Sequence, residues 1–328
     1  MIEVLRASPM LTVQDTGRVG LRHLGIPMAG MMDAPALMAA NLLLGNPIGA
    51  AGLEVSFGPC WFKAHQAIQI VLMGTDMRVQ LMTPDGKHSI RDYLAPGFIH
   101  DIPAGHRIHC QATAEPGQRS CIAVAGGIDV PMALGSRSTD LNSGFGGYQG
   151  RTLRAGDMLP VGTISQQSAN SPQSAKGTRS HGIRQAPATM TLRTVPGTDY
   201  DAFTDRSHSA LWHTEWQVTP LSNRTGLRLN GERLKLLQPQ VRPSSGVVPG
   251  VIQVPPDGQP IVLASDGQTT GGYPHIASVV TADLWQLAYL SPGTVINFMQ
   301  VSLDDARALA AAQTLKLNQL ELWLGWPT

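Results

Sequence analysis

The sequence predicts a mainly β protein with two barrel-like domains and a few short helices. Glycine and proline are frequent, at 35 and 24 of 328 residues, while aromatic residues make up only 5%. A chain so rich in turn residues favours many short strands over helical bundles. Between residues 53 and 124, turn signals also recur at a spacing that is typical of a β-sandwich or barrel.

A polar stretch near the middle of the chain predicts the domain boundary. The stretch from Gly162 to Ala188 contains almost no large apolar residues, so it has little to bury in return for becoming ordered. We therefore predict an N-terminal β-barrel domain over residues 1–162, a linker or surface loop over 163–189, and a C-terminal barrel domain over 190–328. A chain of this length has room for two domains.

Helix signals are few but specific. Asp33 stands as an N-cap, and the apolar run after it stops at Gly45, a typical C-terminal glycine. Asn41 is the polar exception in this helix, and we expect it to bond a neighbouring loop. Ser302 opens a capping box that predicts a helix to about residue 314. Residues 212–218 alternate aromatic and polar side chains, which predicts a half-buried strand.

Composition excludes several classes of partner. Charged residues make up 14% of the chain and the net charge is +1, so nothing indicates binding to nucleic acid or to an anionic membrane. Neither a signal peptide nor an apolar stretch of about 18 residues is found, and we expect a cytoplasmic protein. Cys60, Cys110 and Cys121 show no CxxC spacing, so they are expected to be small buried apolar residues.

Two further patterns are weak as ligand sites. His100, His106 and His109 lack metal-ligand spacing and a carboxylate pair, so we expect surface or strand-end histidines and no metal. The glycine-rich run from Gly144 to Gly150 lacks the phosphate-binding order GxxxxGK[ST]. A flexible flap or a turn is the better interpretation of this run.

The stretch from Gly246 to Pro274 is the part around which the chain is organised. Two apolar runs, residues 251–254 and 261–264, flank a Pro-Pro-Asp-Gly turn and predict a β-hairpin. A polar, glycine-rich loop from Ser265 to Tyr273 then leaves the second strand. Loops of this kind, at the end of a buried strand, are common places for function.

This loop has two possible roles. A carboxylate at Asp266, an amide at Gln268 and hydroxyls at Thr269 and Thr270 would suit a small amide or carboxylate ligand. Alternatively, the same side chains could satisfy nearby backbone groups in a solvated turn. The residue types alone leave both roles open.

Charged residues elsewhere leave similar alternatives. Asp15 and Arg18 flank a glycine turn, where they could bind a carboxylate or amide, or could pair with one another for about 0 to 1 kcal/mol. Arg224 or Arg228 could bind a substrate carboxylate through two hydrogen bonds, or could stack on core aromatic rings.

Several stretches together are similar to the family of 5-oxoprolinase C subunits, which is also called KipA-like, allophanate hydrolase subunit 2 or biotin-dependent carboxyltransferase family. They occur in the family's order over nearly the whole chain. The stretches are GVVPGVIQVPPDGQPIVLASDGQTTGGYP from Gly246, VQDTGR from Val13, AVAGGIDVP from Ala123, LGSRSTD from Leu134 and SNRTGLRL from Ser222.

The resemblance implies cyclophilin-like barrel subdomains and membership of an ATP-dependent 5-oxoprolinase complex, which hydrolyses the cyclic amide 5-oxo-L-proline to L-glutamate. Two partner proteins are implied. One is the B subunit, from the KipI-like or allophanate hydrolase subunit 1 family, and the other is the A subunit, from the LamB/YcsF family. The chain has no Walker motif, so ATP is expected on a partner and no cofactor on this chain.

Two alternatives remain open within the same resemblance. The chain could be the carboxyltransferase part of a urea-type carboxylase, with biotin carried on another chain because no biotinyl-lysine context is present. It could instead be a KipA-like regulator that binds a kinase-inhibitor protein without chemistry.

The resemblance also marks the candidate site residues. Asp266 and Gln268 are the expected catalytic residues. Asp266 and the Ala264 carbonyl would hold the lactam N–H, Gln268 or a Gly271–Gly272 amide would hold the carbonyl oxygen, and Arg224 would hold the acid. The expected substrate-binding residues are Ala264, Arg224, Gln253, Thr269, Thr270, Gly271, Gly272, Tyr273, Asp15 and Arg18.

Three residues depart from the family pattern. Asn223 stands where aspartate is usual, Ser245 where an acidic residue often precedes the glycine, and His275 where lysine or arginine tends to follow Tyr-Pro. The loss of two carboxylates leaves the identity of a general base open.

Overall fold

The computed structural model describes residues 1–111, 118–163, 182–184, 187–238 and 243–325. The chain divides into two compact units: unit 1 holds residues 1–18, 29–186 and 316–328, and unit 2 holds residues 19–28 and 187–315. The predicted boundaries assign segment 19–28 to the N-terminal domain and segment 316–328 to the C-terminal domain, which is the reverse of this division. The predicted linker over 163–189 lies mostly outside the described residues.

Unit 1 is built from two antiparallel sheets. Their strands run in the orders β11-β1-β4-β9-β6-β7 and β2-β3-β10-β5-β8. Among the described residues neither of these sheets closes on itself, and the β-barrel domain expected over residues 1–162 stays a prediction. The strands are β1 Ile2–Arg6, β2 Thr12–Gln14, β3 Gly52–Ser56, β4 Cys60–Ala64, β5 Ile68–Gly74, β6 Gln80–Met82, β7 Ser89–Arg91, β8 Ile99–Ile102, β9 Arg107–Cys110, β10 Arg119–Val124 and β11 Met158–Leu159.

The helix predicted in unit 1 is confirmed as α1, Ala34–Leu44. The Asp33 side chain accepts a hydrogen bond from the Ala36 amide, and Gly45 ends the helix in the left-handed conformation. Inside the helix, the Asn41 amide donates to the carbonyls of Ile48 and Ala50, as expected for a buried asparagine bonded to a loop.

The three cysteines and His100 lie buried in unit 1. Cys60, Cys110 and Cys121 are free thiols in the core, as predicted, and burial raises the pKa of Cys121. His100 is buried rather than on the surface, and its ring bonds the Ala95 carbonyl. Burial lowers the pKa of His100, which favours the neutral ring.

Unit 2 contains a closed barrel in which the strands follow the order β12-β19-β16-β17-β14-β13-β20. A separate two-stranded sheet pairs β15 with β18. The strands are β12 Thr191–Pro196, β13 Trp216–Val218, β14 Gly226–Asn230, β15 Ser245–Gly246, β16 Val251–Gln253, β17 Ile261–Leu263, β18 Thr270–Gly271, β19 His275–Val279 and β20 Val295–Gln300.

The predicted central hairpin is confirmed within this barrel. Strands β16 and β17 pair antiparallel, with Ile252 opposite Val262. The barrel encloses fully buried side chains, among them Trp216, Ile276 and Phe298. Full burial of an aliphatic or aromatic side chain contributes about 1.5 to 3 kcal/mol, so the alternating apolar residues of these strands hold the barrel closed.

Two helices differ from the sequence prediction. Residues Asp205–His213 form α2, capped by Thr204, so Trp212 lies in a helix and the predicted strand begins only at Trp216. Helix α3, Leu303–Leu324, starts at the predicted Ser302 capping box but continues well past residue 314. Alanine and leucine, which are strong helix formers, explain its extension. A 3-10 segment, Thr281–Tyr289, precedes β20.

The predicted mainly β class is confirmed, and the C-terminal half is a barrel. Among the described residues, no helix is both long and apolar enough to span a membrane.

A glycine at the start of unit 2 allows close packing beside β19. A methyl group on Gly197 would overlap the backbone carbonyl of His275. We expect Gly197→Ala to lower the free energy of unfolding by about 1 to 3 kcal/mol, because backbone must move to admit the methyl group. Gly246→Ala is the matched control, since open space surrounds that position and its φ is not left-handed. Equal urea unfolding curves for the two variants would contradict this packing.

Candidate functional site

Unit 2 carries a cleft with a volume of about 430 Å³. Most of its wall comes from the small sheet and the turns beside it. Gly271, Gly272 and Tyr273, three of the predicted substrate-binding residues, line this cleft. The complete lining is Thr198, Asp199, Pro243, Ser245, Gly246, Gly271, Gly272, Tyr273 and His275.

The small sheet forms one wall of the cleft. Ser245 pairs with Gly271 and Gly246 pairs with Thr270. The ladder continues beyond the strands, because the Val247 amide donates to the Thr269 carbonyl. These bonds join two segments that flank the β16–β17 hairpin.

Arg22 ties the same two segments together. Its guanidinium donates twice to the Val247 carbonyl, at 3.1 and 2.6 Å, and once to the Gln268 carbonyl, at 2.6 Å. Burial lowers the pKa of Arg22. Because its guanidinium binds one carbonyl group from each segment, Arg22 links the two sides of the small sheet. Arg22 itself lies far from both segments in the sequence.

A row of polar side chains runs beside the cleft. The Gln268 amide donates to Gln253 Oε1 at 3.0 Å, and Gln253 Nε2 lies 3.3 Å from His275 Nε2. On the other edge of the ring, His275 Nδ1 lies 3.5 Å from the Thr198 hydroxyl. Gln253 and His275 are paired across β16 and β19, where a bulge shifts the register.

The backbone of His275 is held equally firmly. Its N–H donates to Asp199 Oδ2 at 2.8 Å, and the Asp199 N–H donates to the His275 carbonyl at 3.1 Å. Asp199 and His275 are both buried, at 9% and 7% exposure. The turn after β12 therefore fixes the start of β19 at the wall of the cleft.

Arg224 and Asp266 bind one another. Arg224 Nε and Nη2 donate to the two carboxylate oxygens of Asp266, each at 2.8 Å, and the side chains are 2% and 3% exposed. The Asp266 amide also donates to the Arg224 carbonyl. Neither residue is among those that line the cleft. The predicted roles, with Arg224 on the substrate acid and Asp266 on the lactam N–H, stay predictions.

The remaining predicted residues occupy three environments. The Ala264 carbonyl accepts the Gly267 amide, and its expected bond to a lactam stays a prediction. Gln268 and Thr270 are exposed and Thr269 is half-buried beside the small sheet. Gln253 is 1% exposed behind the cleft wall.

Asp15 and Arg18 organise a loop of unit 1. The Asp15 carboxylate accepts hydrogen bonds from the Ser136 and Ser138 hydroxyls. Arg18 donates to the Ala133 carbonyl and stacks on Phe145, with 4.4 Å between the guanidinium carbon and the ring centre. These contacts lie within unit 1. Substrate binding by Asp15 or Arg18 stays a prediction.

The glycine-rich run in unit 1 also bonds within itself. The Gly144 and Phe145 amides donate to the Asp140 carbonyl, and the Gly150 amide donates to the Gly146 carbonyl. These bonds shape the run as a series of turns. Among the described residues, no group of three histidine, cysteine or acidic side chains is placed to hold a metal ion.

Residues 24–300 match the sequence profile of the family described as carboxyltransferase domain, subdomain A and B. The chain belongs to this carboxyltransferase family. The match covers most of the chain and includes the whole cleft lining. The predicted family is therefore confirmed.

Two relatives in this family match over nearly their full length. The chain is 39% identical to the 5-oxoprolinase C subunit of Escherichia coli over 98% of this chain and 97% of the relative. It is 38% identical to the 5-oxoprolinase C subunit of Haemophilus influenzae, with the same two coverages.

Solved structures of the family show the same fold inside longer chains. Kluyveromyces lactis urea amidolyase matches with a TM-score of 0.83 and 26% identity, over 97% of this chain and 20% of that chain. Kluyveromyces lactis urea carboxylase matches with a TM-score of 0.82 and 26% identity, over 97% of this chain and 29% of that chain.

Several cleft residues of this carboxyltransferase domain are not among the predicted site residues. Thr198 and Asp199 follow the Pro-Gly turn after β12, and a polar pair after a buried strand is a signal that could have indicated them. Two departures from the family pattern, Ser245 and His275, also line the cleft. The third, Asn223, accepts the Thr225 and Gly226 amides and thus shapes a turn.

The buried ion pair gives a stability prediction. Arg224→Met would leave the Asp266 carboxylate buried without its bidentate partner, and we expect a loss of about 3 to 5 kcal/mol in the free energy of unfolding. The double variant Arg224→Met/Asp266→Leu should lose less than the sum of the two single variants. Urea denaturation measures both effects.

The control for these variants is Arg206→Met, since the Arg206 side chain is 85% exposed in its ion pair with Glu232. A change of about 0 to 1 kcal/mol is expected there. If Arg224→Met unfolded like the wild type while substrate affinity fell, the originally predicted substrate-binding role would be correct.

The Arg22 contacts predict a local effect. Arg22→Met should speed amide hydrogen exchange in peptides that cover residues 245–248 and 268–272, because the two carbonyls lose their shared donor. Exchange in the barrel strands should stay unchanged. Arg233→Met is the matched control, since Arg233 also donates to a backbone carbonyl, at Asp257. Unchanged exchange in both peptides would show that Arg22 does not hold the small sheet.

Proposed function

We propose that this chain is the C subunit of an ATP-dependent 5-oxoprolinase, an assembly that hydrolyses 5-oxo-L-proline to L-glutamate. The observation that carries the proposal is the match to two proteins of that name over 98% of this chain and 97% of each relative. Because the match spans nearly all of both chains, the relatives have no additional domain that could carry their activity.

The cleft of unit 2 is the proposed substrate site. Its volume of about 430 Å³ lies in the range of small-molecule sites, about 300 to 1,000 Å³. A five-membered lactam with one carboxylate is small enough to enter it. Five of the nine lining residues have polar side chains, which suits a ligand with a lactam N–H, a carbonyl oxygen and an acid group.

Each polar group of the lactam has a complementary group in the lining. The Asp199 carboxylate can accept the lactam N–H in addition to the His275 N–H, and Asp199 lines the cleft whereas Asp266 does not. Hydroxyls of Thr198, Ser245 and Tyr273 are neutral donors for oxygen atoms of the ligand. Water exclusion in such a cleft strengthens these hydrogen bonds.

Other groups required for the reaction are assigned to partner proteins. Among the described residues, the cleft lining offers hydroxyl groups, a carboxylate and an imidazole, which can orient an amide. We propose a cation for the substrate acid, and the ATP site, on the KipI-like B subunit and the LamB/YcsF-like A subunit, the two partners that the family resemblance implies. On this proposal the chain binds no cofactor of its own, acts as a hydrolase only in the assembly, and works in the cytoplasm, where ATP is available.

A second candidate is carboxyl transfer from biotin carried on another chain to a urea-type nitrogen. The family description and the 0.82 TM-score to a urea carboxylase favour it. Reconstitution separates the two functions. Glutamate release from 5-oxoproline and ATP with the KipI-like and LamB/YcsF-like partners supports the first. Carboxylation of urea with a biotin carboxylase, and no glutamate release, supports the second.

Filling the cleft should stop the reaction. Ser245→Phe places a large ring in the cleft, and we expect kcat/KM for glutamate release by the reconstituted assembly to fall at least about 100-fold, because ligand and ring compete for one volume. Ser244→Phe is the matched control, since Ser244 is exposed and is not part of the lining. Full activity of Ser245→Phe would place the substrate elsewhere.

A further inference from the structure

Two ring-bearing side chains follow the same end of the small sheet. Strands β15 and β18 are antiparallel, and Ser245 pairs with Gly271. Pro243 comes two residues before Ser245, and Tyr273 comes two residues after Gly271. Because the strands are antiparallel, both positions continue from one end of the sheet. Both residues line the cleft, so Pro243 and Tyr273 form one part of its wall.

The cleft differs in polarity between its buried and its exposed parts. The polar side chains of Asp199 and His275 are buried, at 9% and 7% exposure. The two rings with large apolar surfaces belong to Pro243, which is exposed, and Tyr273, which is 46% exposed. A small ligand that is polar on one edge and apolar on the other therefore fits this cleft in one orientation.

The Tyr273 ring is presented by a fixed backbone and has surface available for a ligand. On one side of Tyr273, Gly271 lies in β18 of the small sheet. On the other side, the Val254 amide donates to the Pro274 carbonyl. Within the described part of the chain, no hydrogen bond or aromatic contact engages the Tyr273 side chain. An apolar contact with a ligand would cover surface that is now exposed to water.

We propose that Tyr273 is a specificity-determining residue whose ring covers the methylene edge of a lactam, so that the cleft selects cyclic amides over open, urea-type amides. The N–H, the carbonyl group and the acid of 5-oxo-L-proline occupy adjoining ring positions, and its two CH₂ groups form the opposite edge. With the polar edge at Asp199, the CH₂ groups lie at Tyr273. Urea has no apolar edge to place there. The proposal rests on the proposed function for the identity of the substrate.

Removing the ring should weaken substrate binding and leave the chemical step intact. In the reconstituted assembly, Tyr273→Ala should raise KM for 5-oxoproline about 10-fold, the lower end of the effect of one methylene contact, because the ring is half-exposed. The value of kcat should stay within about 3-fold, since the contact is equal in the ground state and the transition state. Tyr273→Phe restores the ring and should lower KM again.

Tyr93→Ala is the matched control for these kinetics. Tyr93 is 47% exposed, lies in unit 1 and is not part of the cleft lining, so its replacement should leave KM unchanged. Urea unfolding curves of the variants verify that each one folds. A wild-type KM for Tyr273→Ala, or a loss confined to kcat, would overturn the proposal.

Ligand-detected NMR tests the contact without turnover. In saturation-transfer spectra of the full-length chain with 5-oxo-L-proline, the ring methylene protons should receive the most saturation, and Tyr273→Ala should abolish this difference. The lactam 2-pyrrolidinone should displace 5-oxoproline, whereas urea at the same concentration should not. No saturation transfer, equal saturation of the α-proton and the methylene protons, or displacement by urea would overturn the proposal. Binding of this kind in an assembly that releases no glutamate would instead overturn the proposed function.

Discussion

The pair of Arg224 and Asp266 is the interaction on which the site in unit 2 depends. Two buried charges lose a large hydration energy, and their two parallel hydrogen bonds, together with the backbone bond between the same residues, help to offset this loss. The pair therefore holds the loop after β17 in one position. From there Gln268 reaches Gln253, and Gln253 reaches His275. Without this pair the glycine-rich loop would be flexible, and Gln268 would not be held within reach of Gln253.

The cleft combines segments that are far apart in the chain. Asp199 follows β12, Ser245 lies in β15, and the Gly271–His275 segment connects β18 to β19. Arg22 adds a contact from residues 19–28, which belong to unit 2 although they lie near the N-terminus. Each segment is bonded to another by backbone groups, so the wall of the cleft is preorganised rather than formed around a ligand.

The sequence by itself determined the local elements. Asp33 and Gly45 bound α1, the apolar runs on either side of Pro-Pro-Asp-Gly form the hairpin, and Ser302 starts α3. These features depend on neighbouring residues only, through capping, turn geometry and side-chain alternation. The motifs also identified the family, because their order along the chain is preserved over nearly its whole length.

The tertiary structure decided which residues meet. Arg224 and Asp266 both looked like ligands for a substrate, whereas the pairing of β14 with β17 brings them together and they bind one another. Asp199 and His275 became neighbours because β12 and β19 pair, and Arg22 reached the small sheet from a segment with no motif. Such contacts join residues tens to hundreds of positions apart, and their partners are set by strand register and closure of the barrel, which no local pattern encodes.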